Sequence, residues 1–137
     1  MIKKIIYILF LLVISCSNNS NDIDSEEITY EYSPQASLDL FIDGNRYLNQ
    51  GKYKEAEKTF EKLIIIDPEF SKAWEGLADS SLMQSNLNKS LEYLNNAIAI
   101  NSSISSHLSK KALVLYYLDD LEASESFANS ALENNPI

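Results

Sequence analysis

Apolar and polar positions in this chain follow two superimposed periods. Locally, residues such as Leu40, Gly44 and Tyr47 recur at the three-to-four residue spacing of a helix face. Over longer distances, equivalent positions return every 34 residues. The aligned columns are Leu40, Trp74 and Leu108; Tyr53, Leu87 and Leu121; and Pro68, Ser102 and Pro136. A repeat of this length predicts helix pairs stacked into a solenoid.

Helix-breaking residues divide each unit in two. In the first unit a helix ends at Gly51, and a second helix stops at Asp67-Pro68, because proline cannot continue the preceding hydrogen-bond pattern. We expect three units, at 37–70, 71–104 and 105–137. One helix pair cannot bury its apolar face, whereas three stacked pairs can.

Small residues recur where two helices are expected to cross closely. They are Gly44, Ala78 and Ala112 on the first helices and Ala56, Ser90 and Ser124 on the second helices. Larger side chains at these positions would push the helices apart. We expect the large residues to fill the space between adjacent helices: Leu40, Trp74, Leu108, Phe60 and Leu94.

The first unit resembles a tetratricopeptide repeat (TPR). The matching residues are Gly44 and Tyr47 in the first helix, Gly51 and Tyr53 at the turn, and Ala56, Phe60 and Pro68 in and after the second helix. The later units keep the register but depart at Ser90, Ser102, Lys111, Ser124 and Ala128. The resemblance covers about three quarters of the chain. It implies an all-α fold, a right-handed helical solenoid of three TPR helix pairs over residues 37–137.

The N-terminus has the pattern of a secretory signal. Lys3 and Lys4 precede ten consecutive apolar residues, Ile5 to Ile14, which span only ~15 Å as a helix against a bilayer core of about 30 Å. Residues 1–15 are therefore predicted to be a signal peptide. The sequence Val-Ile-Ser-Cys ending at Cys16 resembles a bacterial lipobox, which implies lipidation of Cys16, the one cysteine in the chain. The alternative is an ordinary signal with a chance cysteine.

Residues 16–36 are polar and acidic and contain no lysine or arginine. We expect a flexible, lipid-anchored acidic tether. Within it, Ile28, Tyr30 and Tyr32 leave open a short docked segment. Ser17 after the cysteine favours the outer membrane by a sorting rule known for some bacteria, so the expected location is the bacterial cell envelope.

Composition and motifs argue against several classes of function. A net charge of −9 disfavours nucleic acid, and three glycines and three prolines do not suit an all-β fold. His107 is the one histidine, and without a partnered nucleophile motif we expect it to be a solvated surface residue. Asp119-Asp120 is read as a polar turn. We expect no enzymatic activity, no cofactor and no metal site.

The TPR resemblance implies a concave groove lined by the first helix of each pair. The expected lining residues are Phe41, Asn45, Leu48 and Asn49; Glu75, Asp79, Leu82 and Met83; and Ser109, Leu113, Tyr116 and Tyr117. This mixed apolar and acidic lining predicts a basic or apolar protein segment as partner. A carboxylate clamp known in the family fits Asn45 but not Phe41, Glu75 or Asp79. For Leu48 and Leu113, a place in the core is an equal alternative.

Together these features predict a non-enzymatic, lipid-anchored TPR adaptor or assembly factor that binds a protein segment in the cell envelope. The alternatives are an envelope lipoprotein that binds a small ligand or glycan through Tyr116 and Tyr117, and a structural spacer in a larger complex. Polar residues of the last helix predict a built-in cap and a chain complete at Ile137: Ser124, Ser126, Asn129, Ser130 and Asn134. A partner covering that end, at Phe127, is the competing view.

Overall fold

A computed structural model describes residues 33–134. These residues form six α-helices: α1 (Pro34–Asn49), α2 (Tyr53–Ile66), α3 (Ser71–Met83), α4 (Leu87–Ile100), α5 (Ser105–Tyr117) and α6 (Leu121–Asn134). The predicted signal peptide, Cys16 and residues 16–32 of the predicted tether lie outside the described residues. Residues 34–36, also assigned to the tether, lie in the first turn of α1.

The helices pack in consecutive pairs, and the pairs stack in chain order. α1 packs on α2, α3 on α4, and α5 on α6, while α2 contacts α3 and α4 contacts α5. The prediction of an all-α solenoid of three helix pairs is confirmed. No helix within residues 33–134 is long and apolar enough to cross a bilayer.

Local chemistry explains where the helices begin and turn. Ser33 precedes α1, and its hydroxyl accepts a hydrogen bond from the Ala36 N–H at 3.0 Å, which satisfies one free amide of the first turn. Between the helices of each pair, one residue adopts a positive φ: Gly51 (71°), Ser85 (62°) and Asp119 (64°). These three positions are 34 residues apart. Of the three residues, only Gly51 adopts a positive φ without steric cost, because glycine has no Cβ atom.

Phe60 is the centre of the first stacking contact. Its side chain is fully buried with Leu63 and Leu77, and its ring lies against two glycines from different helices. A Cβ atom added to Gly44 on α1 would approach the ring to 2.6 Å, and one added to Gly76 on α3 would approach it to 2.5 Å. The ring therefore occupies space that two absent side chains leave open. The sequence predicted this role for Gly44 but missed Gly76.

The second and third pairs use serine at the close crossing. The Ser90 hydroxyl donates to the Ala78 carbonyl at 2.9 Å, and the Ser124 hydroxyl donates to the Ala112 carbonyl at 2.8 Å. Both bonds join residues twelve apart, from the second helix of a pair to the first. Serine thus serves the expected small-residue role and adds a hydrogen bond between the helices.

The last helix is more exposed than its equivalents. Ala131 is buried, but Leu121 and Leu132 are exposed on α6 together with Ser126, Asn129 and Asn134. Lys111 lies over the Phe127 ring, 4.0 Å from its centroid, and Phe127 is half-buried. The outer surface of the last pair is therefore a mixture of polar and apolar side chains.

Candidate functional site

The first helices line a depression that the sequence predicted as a groove. Its first hollow, of about 320 Å³, lies between α1 and α3, and Tyr53 closes it at the start of α2. The remaining lining residues are Asn45, Leu48, Asn49, Asp79, Leu82 and Met83. All six were among the residues expected to line the groove, whereas Tyr53 was expected as a repeat-column and turn residue.

A second hollow, of about 500 Å³, continues from the first between α3 and α5. Its lining is mainly apolar and consists of Leu82, Met83, Ser85, Leu87, Leu113 and Tyr117. Leu82 and Met83 line both hollows, so the two form one continuous surface, here called the groove. Polar side chains are concentrated at its α1 end and apolar side chains at its α5 end.

Other predicted groove residues lie elsewhere or at the edge. Phe41 does not line either hollow; it is half-buried beside Phe60 and Phe70, with ring centroids 6.3 Å and 5.2 Å away. Tyr116 is 60% exposed, and its ring meets that of Tyr117 edge-on at 6.0 Å between centroids. Tyr116 therefore extends the aromatic surface beyond the second hollow. Ser109 is exposed on α5, outside both hollows.

Glu75 belongs to a polar cluster that joins α3 to α5. One carboxylate oxygen, Oε2, accepts a hydrogen bond from Ser106 at 2.8 Å and lies 2.5 Å from His107 Nδ1. The other oxygen, Oε1, lies 2.9 Å from the Lys110 ammonium. Lys110 also donates to Asp79, so one cation bridges Asp79, which lines the first hollow, and Glu75, which was predicted in the groove but lines neither hollow.

The cluster shifts the ionisation of its members. Burial alone would raise the pKa of Glu75, but the close contact with His107, the hydrogen bonds from Lys110 and Ser106 and the charge of Lys110 lower it to about 2. Burial raises the pKa of Asp79, against the opposing contribution of Lys110. For Lys110, burial lowers the pKa, but Asp79 and Glu75 outweigh it and the pKa is raised. At neutral pH Glu75 and Lys110 are therefore both charged.

The prediction that His107 is a solvated surface residue is wrong. Its side chain is fully buried because it packs against Glu75 of the preceding unit instead of facing solvent. Its Nδ1 is close to Glu75 but not aligned as a hydrogen bond, and Nε2 has no partner among the described residues. Residues 33–134 contain no cluster of three or more His, Cys, Asp or Glu side chains able to hold a metal ion.

The sequence reading missed Lys110 and Ser106 as partners of the acidic groove residues. Glu75 pairs with Ser106 and Asp79 pairs with Lys110, and each pair is 31 residues apart. Both pairs join consecutive first helices and are three residues short of the 34-residue repeat. A search for complementary residues at that offset, instead of at 34, would have found both pairs.

Comparison with known proteins agrees with this architecture. A family model described as a tetratricopeptide repeat matches residues 44–70, the span from Gly44 on α1 to Phe70 before α3. No curated protein matches the chain. The matched residues thus contain a tetratricopeptide repeat, in the unit whose sequence resembles the family best.

Solved structures share the fold over most of its length. The first TPR of Spaghetti (RPAP3), bound to the HSP90 peptide SRMEEVD, has a TM-score of 0.74 and 26% identity, covering 77% of this chain and 84% of that chain. The first TPR domain of human RPAP3 has a TM-score of 0.73 and 27% identity, covering 76% and 82%. The Yersinia enterocolitica type III secretion chaperone SycD, in complex with a peptide of the translocator YopD, has a TM-score of 0.72 and 19% identity, covering 76% and 79%.

Proposed function

We propose that this protein is a non-enzymatic, lipid-anchored adaptor or assembly factor that binds a protein segment in the bacterial cell envelope. The groove is the observation that supports segment binding. It runs across all three helix pairs and joins two hollows through Leu82 and Met83. An elongated surface of this kind suits an extended segment better than a compact small molecule.

The structural neighbours support the same kind of partner. The RPAP3 domain was solved with a peptide, and so was SycD. For this chain, the second hollow offers mainly apolar side chains and an exposed tyrosine, which are favourable contacts in the centre of an interface. Groove binding of a peptide therefore fits both the fold and the surface.

The charges in the groove bear on whether the bound segment is apolar, basic or acidic. Lys110 pairs with Asp79, the acidic residue of the groove lining, and also with Glu75, so the groove is less acidic than its lining alone suggests. Of the two chemistries expected from sequence, an apolar segment is favoured over a strongly basic one. An acidic segment such as SRMEEVD would meet Asp79 at the surface of the first hollow without a free cation beside it.

A crosslinking experiment tests segment binding. A photoreactive residue replaces Tyr117 in the full chain, and crosslinked membrane proteins are identified by mass spectrometry. We expect a protein partner that is lost when Leu113→Lys places a charge in the second hollow. The matched control is Ile65→Lys, because Ile65 is also an exposed apolar residue but lies on α2, outside both hollows.

The outcome separates the alternatives. Absence of any protein crosslink, together with a raised melting temperature in the presence of an envelope saccharide, would replace the adaptor proposal by glycan binding. A partner retained in the Leu113→Lys variant would indicate that the groove is unused and the protein is a spacer.

Membrane anchoring is proposed from the sequence of residues 1–16. We expect labelled palmitate to be incorporated into the full chain and to be lost in the Cys16→Ser variant. Density fractionation should place the labelled protein with the outer membrane. Incorporation that persists in Cys16→Ser would refute lipidation of this cysteine.

A further inference from the structure

The first helix exposes an apolar stripe that no described residue covers. Leu38 is 46% exposed and Ile42 is 55% exposed, and they lie one turn apart on the same side of α1. Neither residue lines the groove. In the second pair, the position equivalent to Ile42 is Gly76, which Phe60 of the preceding pair covers, whereas the position equivalent to Leu38 is Lys72, which is exposed. Ile42 thus lies on the side of α1 that corresponds to the stacking side of α3, and Leu38 extends this apolar surface by one turn.

The residues just before α1 have a complementary pattern. Residues 28–32 read Ile-Thr-Tyr-Glu-Tyr, so apolar side chains alternate with polar ones over five positions. In an extended segment, Ile28, Tyr30 and Tyr32 share one face, while Thr29 and Glu31 share the other. Such a segment can cover an apolar stripe and keep its polar side in water.

Distances and charges allow this segment to fold back along α1. Five extended residues span about 16 Å, whereas Leu38 and Ile42 are separated by about 6 Å along the helix axis. The segment ends at Tyr32, directly before the Ser33 cap, so its start can return past Ile42. There the exposed Arg46 guanidinium, which pairs with Asp43 at 2.9 Å, has further N–H donors for the acidic residues Glu26 and Glu27.

We propose that residues 28–32 dock on the Leu38–Ile42 stripe of their own chain and cap the first helix pair. This occupant is favoured over a second copy or a different protein because it is covalently adjacent to the stripe, and its effective concentration there is high. At Ile42 the docked segment takes the place that Phe60 of the preceding pair has at Gly76. The free tether then shortens to residues 17–27.

A double-mutant cycle on the full chain, purified in detergent, tests the contact. One variant, Tyr30→Ser with Tyr32→Ser, removes the apolar face of the segment, and the other, Leu38→Gln with Ile42→Gln, removes the stripe. We expect each to lower the melting temperature by about 4–8 °C, as a loss of about 1 kcal/mol does in a domain of this size. Combined, they should lower it no further than either alone.

Two controls and a second measurement complete the test. Glu31→Gln alters the opposite face of the segment and Ile65→Gln removes an exposed apolar residue from α2, so both should leave the melting temperature unchanged. A photoreactive residue at Tyr30 should crosslink within the same chain to residues 38–46. Additive or absent effects in the cycle, or crosslinks to a second copy or another protein, would overturn the proposal.

Discussion

Replacing Gly76 by alanine should destabilise the array, although alanine is the better helix former. The added Cβ would lie 2.5 Å from Phe60 ring carbons, far inside the usual contact distance of about 3.5–4.0 Å. The ring is fully buried against Leu63 and Leu77 and cannot move away freely. Overpacking of this kind costs about 1–3 kcal/mol, and the helix-propensity gain of about 1 kcal/mol offsets part of it. The expected net loss is therefore at most about 2 kcal/mol.

Urea denaturation of the chain from Ser17 measures this loss. Circular dichroism reports the helices, and fluorescence reports Trp74, the one tryptophan, which is two residues from Gly76. Coincident transitions would justify a two-state free energy. As a control for helix propensity, Asn95→Ala on the exposed face of α4 should raise the midpoint slightly.

The decisive comparison is the same substitution in a Phe60→Leu background. Leucine occupies the equivalent position, Leu94, in the second pair, and it lacks the ring atoms that meet the added methyl group. Gly76→Ala should therefore become neutral or stabilising when Phe60 is leucine. An equal loss in both backgrounds would refute the steric explanation, and so would a Gly76→Ala variant more stable than the parent.

Three further predictions follow from the described contacts. Because the pKa of Glu75 is lowered to about 2, its ionisation stabilises the fold above about pH 4.5, and this contribution is lost as the pH falls towards 2. On acid titration, the Glu75→Gln variant should therefore lose less stability than the parent protein. Asp119→Gly places glycine at a positive φ and should raise the free energy of unfolding in urea melts by about 0.5–1 kcal/mol. Asp120→Ala removes the carboxylate that accepts the Ala123 N–H and should lower that free energy by about 1 kcal/mol. Equal effects of the two substitutions would contradict both assignments. Ser90→Val inserts a methyl group where α3 and α4 cross and removes a buried hydrogen bond, so thermal melts should show a loss of stability of about 2 kcal/mol or more. An unchanged stability would argue against a close crossing of the two helices.

The repeat period explains why the helices were predictable from sequence. Glycine and proline mark the ends of the first two helices. In the later units, where such local signals are weaker, the 34-residue period predicts helix ends at the equivalent positions. Asp119 shows that the backbone conformation is kept at equivalent positions of the repeat, because it adopts a positive φ like Gly51 although the residue type differs. Backbone conformation at this turn is thus determined by the packing of the two helices it joins.

Contacts between units were harder to predict because the residues in contact are not separated by the 34-residue repeat. Column alignment placed Glu75 and Asp79 in the groove but could not show that Lys110 lies between them. It also placed Phe41 in the lining, whereas the structure turns it towards Phe60 and Phe70. Helical periodicity identifies the inner half of a helix, but the neighbouring helix decides which residues of that half remain accessible.

The side chain at the Phe60 position becomes smaller along the array, with Leu94 in the second pair and Ala128 in the third. Less apolar area is therefore buried at each successive position, and the third pair should exchange its amide hydrogens fastest. Leu113 and Tyr117, which line the apolar end of the groove, belong to that pair. A bound segment would hold α5 in its packed position, so ligand binding and local unfolding of the third pair are thermodynamically coupled.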